Sequence, residues 1–563
     1  MDYQQNLAEH ISQNLKLELT IEDVLKLIEA PKFAEHGDLA FPCFSLAKSM
    51  KKSPAVIAEQ LAGQLGGDLF EKVSAAGPYV NFFLNKSKVS HDVLLEILEK
   101  KHHYGDLEMG GGKNIPIDMS SPNIAKPFSM GHLRSTVIGN ALANILQKCG
   151  FTPIKINHLG DWGTQFGKLI VAYKAWGDEQ KVKENPIKEL LKLYIDFHEK
   201  AEKDPGLERQ GREWFKKLED GDQEALRLWK WFREESLKEF NKIYDLLNVQ
   251  FDSYQGEAFY NDKMDDAVKM IDDSGLLVED QGAMVVKLDE ENLPPSLIKK
   301  SDGATLYVTR DLAAAIYRHQ IYDFAQAVYV VGNEQTLHFK QLKLVLKKLG
   351  LQWSDHIVHV PFGMILKDGK KMSTRKGKVV LLEDVLSDSI KLAERNILAK
   401  NPHLQNKAEI ARQVGVGAVI FHDLHHERMN TIEFSLEDML KFEGETGPYL
   451  QYTYARARSI LRKASILTKL DPTAGLKDPL AWEVIKLLID FPKAVERAYH
   501  KYEPSIVSKY LIDLAQAFNR YYGNVRILEE NAELQTRLQL VEAAAIVLKE
   551  GLALLGIAAP EEM

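Results

Sequence analysis

The stretch IPIDMSSPNIAKPFSMGHLRSTVIGNALANILQKCGFTPIKI, residues 115–156, decides the fold class. IPIDMSS at its start is a short, mostly apolar run of the kind that forms a buried strand. A polar loop, PNIAKPFSMG, follows. The period then changes, and HLRSTVIGNALANILQK predicts a long helix that Gly150 stops. TPIKINHLG, which runs on to Gly160, is a second strand-like run. Strand, loop, helix and strand within about 40 residues make a βαβ unit, which predicts a parallel sheet covered by helices.

Upstream, Gly110, Gly111 and Gly112 form the clearest break in the chain and set a domain boundary. Residues 1–110 are expected to form a small α+β domain. TIEDVLKLIEA opens with Thr20 as a helix cap and has Glu22 and Asp23 in its first turn, and LAEHISQNLK is helix-like. PYVNFFLN reads as a strand after Gly77. Downstream, residues from about 168 to 250 read as charged helices without a chemical motif. A βα pattern resumes with ATLYVTRD as strand and LAAAIYRHQ as helix, and again with AVYVVG and EQTLHFKQLKLVLKKLG. HIVHVPFG predicts a further strand, and MILKDGKKM a hairpin with an Asp-Gly turn. Residues 111–444 thus read as a doubly wound α/β core carrying a helical insertion, and residues 445–563 as an all-α helical bundle.

Apolar residues make up 45% and charged residues 27% of the 563, the mix of a globular protein rather than a disordered, collagen-like or disulfide-stapled chain. No run approaches ~18 consecutive apolar residues, so no membrane span is expected. The first 30 residues carry early acids and no apolar core, so no secretory leader is expected. Cys43 and Cys149 are the only cysteines, which speaks against a zinc cluster and for a reducing cytoplasm. With 72 basic and 80 acidic residues the net charge is −8, unlike a general nucleic-acid binder, so local patches matter more than the sum.

Two patches carry chemistry. In the loop after the first core strand stand Asn123, Lys126, Ser129, Gly131 and His132. Ligands of open α/β sheets lie beyond the carboxyl ends of the strands, at helix N-termini whose free N–H groups and dipole attract anions. The loop therefore reads as a polyphosphate site, although it matches neither G-x-x-x-x-G-K-[ST] nor G-x-G-x-x-G; an ordinary first-turn histidine is the bland reading of His132. From Lys367 to Lys378 there are six basic residues against the single acid Asp368, bracketed by Gly369 and Gly377. A mobile cationic loop suits a triphosphate whose charge shifts as a bond breaks.

SPNIAKPFSMGHLRST at 121–136 together with KMSTR at 371–375 resembles the paired signatures of class I aminoacyl-tRNA synthetases. The longer stretch from Asp118 to Thr136 is similar to the arginyl-tRNA synthetases, as are NHLGDWGTQFG, LYVTRD, EQTLHF and GPYLQYTYARARSIL. The resemblance spans nearly the whole chain. It implies a class I Rossmann-like core, ATP with Mg2+ as the substrate complex, no tightly bound metal or organic cofactor, and L-arginine and tRNA(Arg) as partners. It also implies that Pro122, Asn123, Gly131, His132, Lys371, Met372 and Ser373 hold ATP, with Lys126, Ser129, His132 and Lys371 in catalysis. Asp118, Ser120, Asn123, Tyr307, Asp311 and Gln335 would surround arginine. Carboxylates beside an aromatic face suit a planar, permanently charged guanidinium, although Tyr307 also reads as a core aromatic and Asp311 as a first-turn helix acid.

Tyr449, Tyr452 and Tyr454 interleave with Arg456, Arg458 and Arg462, and Phe518, Arg520, Tyr521, Tyr522 and Arg526 repeat the mix. The pattern fits unpaired bases stacking on aromatics; it fits equally an amphipathic helix with tyrosines in its core. The family implies the first, with Tyr449, Tyr452, Arg456, Arg458, Arg462 and Arg520 against the anticodon region of tRNA. The N-terminal domain would contact the tRNA elbow, with Phe33, Gly37, Phe41 and Tyr79 as candidates. His422, His425 and His426 read as helix surface. Two departures stand out. Ser129 replaces the usual first histidine, and KMSTR lacks a second lysine, for which Arg375, Lys370 or Lys126 could stand in; Lys126 faces the loop and is the preferred substitute. Rival readings are another class I synthetase, or a non-catalytic tRNA-binding paralogue hinted at by Ser129. A monomer is the expected state, although nothing in the sequence fixes it.

Overall fold

The computed structural model describes residues 3–14, 19–300, 307–367, 369–371, 380–464 and 475–563. Its centre is a parallel sheet of β1 (Asn114–Asp118), β2 (Thr152–Ile156), β3 (Ala327–Val330) and β4 (Ile357–Val360), in the order β4-β3-β1-β2. β3 meets β1 only at Ile117↔Val328 and Asp118↔Tyr329. Both pairs lie after Pro116, which has no N–H to give a second neighbour. Helix α1 (Met130–Lys148) crosses from β1 to β2 and is buried along almost its whole length, because the sheet covers one side and the C-terminal helices cover the other. It ends at Gly150, whose φ of +83° and contact with the Leu107 carbonyl leave no room for a side chain.

The N-terminal unit is α+β, as expected. Leu39–Pro42, Tyr79–Leu84 and Phe70–Ala76 form an antiparallel sheet with Tyr79–Leu84 in the middle. Helices Tyr3–Asn14, Ile21–Leu27 and Pro54–Gln64 pack on it around Leu7, Ile11, Phe41, Ile57 and Phe82. Thr20 caps its helix through a reciprocal box with Asp23. After β2 come Thr164–Trp176, Glu179–Glu184, Pro186–Ala201, Gly206–Glu219 and α2 (Gln223–Leu247), the helical insertion.

Two elements differ from the expectation. A small antiparallel sheet, Leu277–Asp280, Ala283–Val286 and Ser296–Lys299, has no counterpart in the sequence reading. ATLYVTRD is not a strand: Tyr307 to Asp311 are the opening of helix α3 (Tyr307–Tyr322), and residues 304–306 lie outside the described residues. The hairpin is present, with Ile365–Lys367 antiparallel to Lys370–Lys371. Beyond it, helices Leu382–Lys400 and α4 (Lys407–His425) lead into a bundle of α5 (Gly447–Lys463), Pro479–Lys501, α6 (Ser505–Asn524) and α7 (Leu534–Leu554). Among the described residues no helix is long and apolar enough to cross a membrane.

Candidate active site

The chain leaves β1 along a strained path. Ser120, Ser121 and Ala125 have φ of 71°, 50° and 59°, left-handed without being glycine, at about 1 kcal/mol or more each. Hydrogen bonds fix this shape: the Ser120 N–H donates to Ser135 Oγ at 2.9 Å, Ala125 N–H to Ser236 Oγ at 3.2 Å, and Ile124 N–H to the Gly160 carbonyl at 3.1 Å. One expectation fails here. Ser120 does not line the cleft; its hydroxyl turns inward, 2.8 Å from the Tyr244 hydroxyl and from Thr136 Oγ1.

Ser129 caps α1, and its backbone N–H donates to His132 Nδ1 at 3.1 Å. An acceptor at Nδ1 puts the proton on Nε2, so a neutral His132 presents an N–H donor. Burial pushes its pKa down to about 4, and the charge of Lys126 adds to this against the Ser129 bond. A Cβ on Gly131 would meet only Ser129 Oγ, at 3.5 Å, so nothing within the chain demands glycine there. Lys126 is exposed. The described segment that follows the second motif, from Val380 on, reaches this helix start. Leu382 N–H donates to the Phe128 carbonyl at 3.0 Å, and Ser129 pairs with Leu381. Lys371 ends the second hairpin strand. Met372, Ser373, Thr374, Arg375, Lys376 and Lys378 lie outside the described residues.

His422 is likewise pushed down to about 4 by burial. Both rings are neutral in the fold at pH 6, whereas a histidine in the unfolded chain binds a proton near 6.5. The unfolded state therefore holds more protons below that value. Stability is expected to be intact above about pH 6.5 and to fall as pH drops toward 4. The urea midpoint should be lower at pH 5 than at pH 7, and His132→Gln should remove part of the difference; equal midpoints in the parent chain would contradict the assignment.

The topological switch point lies between β1 and β3, and beyond their carboxyl ends opens a cleft of about 590 Å³. Asp118, Asn123, Tyr307, Asp311 and Gln335 all line it, five of the six residues expected around arginine. Tyr307 is 68% exposed, which excludes a core role. Asp118 is not free: its Oδ2 is 2.8 Å from Nη1 of the buried Arg318, and its Oδ1 accepts the Ser121 hydroxyl at 3.0 Å. Arg318 lies on the same face of α3 as Tyr307 and Asp311, donates to His158 Nδ1 at 3.3 Å, and lies 5.4 Å from the Tyr329 ring centre.

Asp311 receives a 2.6 Å hydrogen bond from His338 Nε2. Burial alone would raise its pKa, but this bond and the neighbouring His158 and Arg318 outweigh it and hold the carboxyl below its usual value. Among the further lining residues, two histidines and one acid escaped the sequence reading. His158 and His338 stood inside quoted motifs. Glu257 belongs to none, and burial pushes its pKa up to about 7, with Arg310 opposing and Asp161 and Asp311 adding.

Family models match three segments: an arginyl tRNA synthetase N-terminal domain at residues 3–84, a class I (R) tRNA synthetase catalytic domain at 93–436, and a DALR anticodon binding domain at 450–563. The chain is 60% identical over 563 residues to the arginine–tRNA ligase of Enterococcus faecalis, covering 100% of each. The chain belongs to the arginyl-tRNA synthetases. It is 61% identical to arginine–tRNA ligase 1 of Bacillus cereus, again over 100% of both chains. Among solved members of the family, the Thermus thermophilus enzyme superposes with a TM-score of 0.79 at 25% identity, covering 100% of both. The Plasmodium falciparum enzyme shares the fold with a TM-score of 0.81, covering 99% of this chain and 98% of that one.

In the C-terminal bundle, from Gly447 on, the two readings of the aromatics divide by position. Tyr454, Phe518 and Tyr521 are core. Tyr449 and Tyr452 are half-buried, Tyr522 is exposed, and the Arg456 guanidinium lies 4.9 Å from the Tyr452 ring centre and 5.0 Å from that of Tyr522. Arg458 is held by Glu542 and Glu561, Arg462 by Glu562 and Arg520 by Glu483, so these arginines already have acidic partners. In the N-terminal domain, Phe33 is exposed and Tyr79 half-buried, whereas Phe41 is fully buried and Gly37 is required by the Phe82 carbonyl 2.6 Å from where a Cβ would stand. His422, His425 and His426 are half-buried rather than surface residues, and their rings bond Glu433 O, Glu445 and His422 O.

Proposed function

We infer that this chain ligates L-arginine to tRNA(Arg) in two steps in the cytoplasm. The arginine carboxylate attacks the α-phosphorus of MgATP in line, the bond to the β-phosphate oxygen breaks, and arginyl-adenylate and diphosphate result. The 2′-hydroxyl of the terminal adenosine then attacks the activated carbonyl and AMP leaves. The observation that carries this reading is the acid-lined cleft beyond the carboxyl ends of β1 and β3, lined in part by the loop that runs from β1 into α1. Asp311 and Glu257 supply charge for the guanidinium, and Tyr307 supplies a face. Asp118 already carries Arg318, so it bears less of the guanidinium than its type suggests. Asn123 and Gln335, at the cleft rim, orient the amino and carboxylate groups. His132 offers its Nε2–H to the nucleotide phosphates, and the free N–H groups of the helix add to it. Positioning and charge stabilisation carry the rate, and no covalent intermediate with the chain is required.

ATP–diphosphate exchange with arginine, with and without tRNA, tests the reading. Exchange with lysine or leucine in place of arginine would defeat it. Tight tRNA binding without exchange would favour a non-catalytic paralogue. Lys126 supplies the charge missing from KMSTR in this reading. Lys126→Ala is expected to lower kcat for exchange by about tenfold or more with the KM for arginine unchanged. Because Lys126 is exposed, its loss leaves stability intact; an unchanged kcat would remove it from the mechanism.

Tyr449, Tyr452, Arg456 and Tyr522 present the stacking surface for the anticodon region. For Arg458, Arg462 and Arg520, contact with tRNA requires exchange of their acidic partners for phosphates.

A further inference from the structure

A second pocket, of about 470 Å³, lies at the seam between the catalytic sheet and the C-terminal bundle. It shares no lining residue with the arginine cleft. Its polar wall comes from three directions: Asn140 and Asn144 one turn apart on α1 and Lys155 on β2, Asn248 and Gln250 at the end of α2, and Lys549 on α7. Among the described residues two lysines and four carboxamides line it and no carboxylate does, in a chain whose acids outnumber its bases by 80 to 72.

Lys155 is half-buried, and its Nζ donates to Asn140 Oδ1 at 3.3 Å. Among the described residues neither Lys155 nor Lys549 has a carboxylate within ion-pair distance, although the charge of Lys549 is felt by Glu561 near the end of the chain. Asp252 takes the Lys155 backbone N–H at 2.8 Å rather than its ammonium. Burial pulls the Lys155 pKa down, against the charge of Asp252. A partly desolvated ammonium without a counter-ion is unfavourable, and a bound anion relieves it. The negative end of α7 would oppose an anion here, but its last carbonyls are engaged. Asn144 Nδ2 donates to those of Ala553 and Leu554 at 3.1 and 3.3 Å, and the N–H groups of Leu555, Gly556 and Ile557 fold back onto the last turn.

We propose that this seam pocket binds a phosphoryl group. Two ammonium groups arriving from different domains, with amide N–H donors between them, match a tetrahedral anion with several acceptor oxygens better than a planar carboxylate. A ligand held by Lys155 and Lys549 together would favour the docked arrangement of bundle and catalytic core, and so couple the two. The group can belong to a free phosphate compound or to the backbone of tRNA, and the two sources are separable.

In the first arm the full chain is titrated calorimetrically with inorganic phosphate while arginine and a non-hydrolysable ATP analogue fill the cleft. One phosphate per chain is expected, with Lys155→Met and Lys549→Met each weakening it by about tenfold. Lys549 is exposed, so its variant also separates lost binding from lost folding. In the second arm, tRNA affinity is measured against salt concentration for the parent and the double lysine variant. Phosphate uptake that both variants weaken assigns a free phosphate compound. Its absence, with a salt dependence shallower by about one counterion or more in the double variant, assigns a backbone phosphate. No phosphate uptake and an unchanged salt dependence would overturn the proposal. Arginine-dependent exchange is expected to persist in both variants, so the reading of the cleft stands or falls separately.

Discussion

Asp311→Asn is expected to raise the KM for arginine in ATP–diphosphate exchange by about 100-fold or more, with the KM for ATP little changed. The carboxyl of Asp311 is held ionised by the 2.6 Å bond from His338, and it lines the cleft beside Tyr307 one turn away on α3. Asparagine keeps the size and one acceptor oxygen, so the variant removes charge rather than shape. Losing one member of a desolvated charge pair with a guanidinium is worth about 2–5 kcal/mol. Glu257 cannot replace it fully, because burial raises its pKa to about 7 and leaves it partly protonated at neutral pH. The same inequality predicts that arginine binds more tightly as pH rises through 7, because Glu257 then ionises. A KM within threefold of the parent enzyme would mean that Asp311 does not read the guanidinium.

The βαβ unit was legible because its signals are local. Apolar runs, period changes and glycine breaks lie within a few dozen residues of one another. ATLYVTRD misled because alternation over eight residues is too short to separate a strand from a helix start. The helix-forming run after Asp311 extends back to Tyr307 and turns it outward. The pairing of Asp118 with Arg318 spans 200 residues of sequence, and the approach of Glu257 to Asp311 spans 54; no local pattern encodes either. Helical period shows that Tyr454 and Tyr452 lie on different faces of α5. It does not show which face the other helices cover, and that alone makes Tyr454 core and leaves Tyr452 beside Arg456.

Arg134 shows the same limit, and it yields the largest expected effect on stability. It stands within the nucleotide-site signature, two residues after His132, yet only 1% of it is exposed and it faces away from the cleft. Its Nε lies 3.1 Å from the carboxylate of Asp423 on α4, and its Nη1 donates to the Asn430 carbonyl at 2.9 Å. α4 in turn packs against α5 and α6, so this ion pair fastens the helix that starts at the proposed nucleotide site to the C-terminal bundle. Burial raises the pKa of Asp423 against the pull of Arg134, which marks a site where an unpaired charge is poorly tolerated. Arg134→Met is therefore expected to cost about 3–5 kcal/mol in urea unfolding, and Asp423→Leu a similar amount, because each leaves the other charge buried alone. Combining them removes both charges, and the double variant should recover most of the loss. Additive losses in the double variant would mean that the two residues act through separate contacts, and the ion pair would then not be what joins the nucleotide-site helix to the bundle.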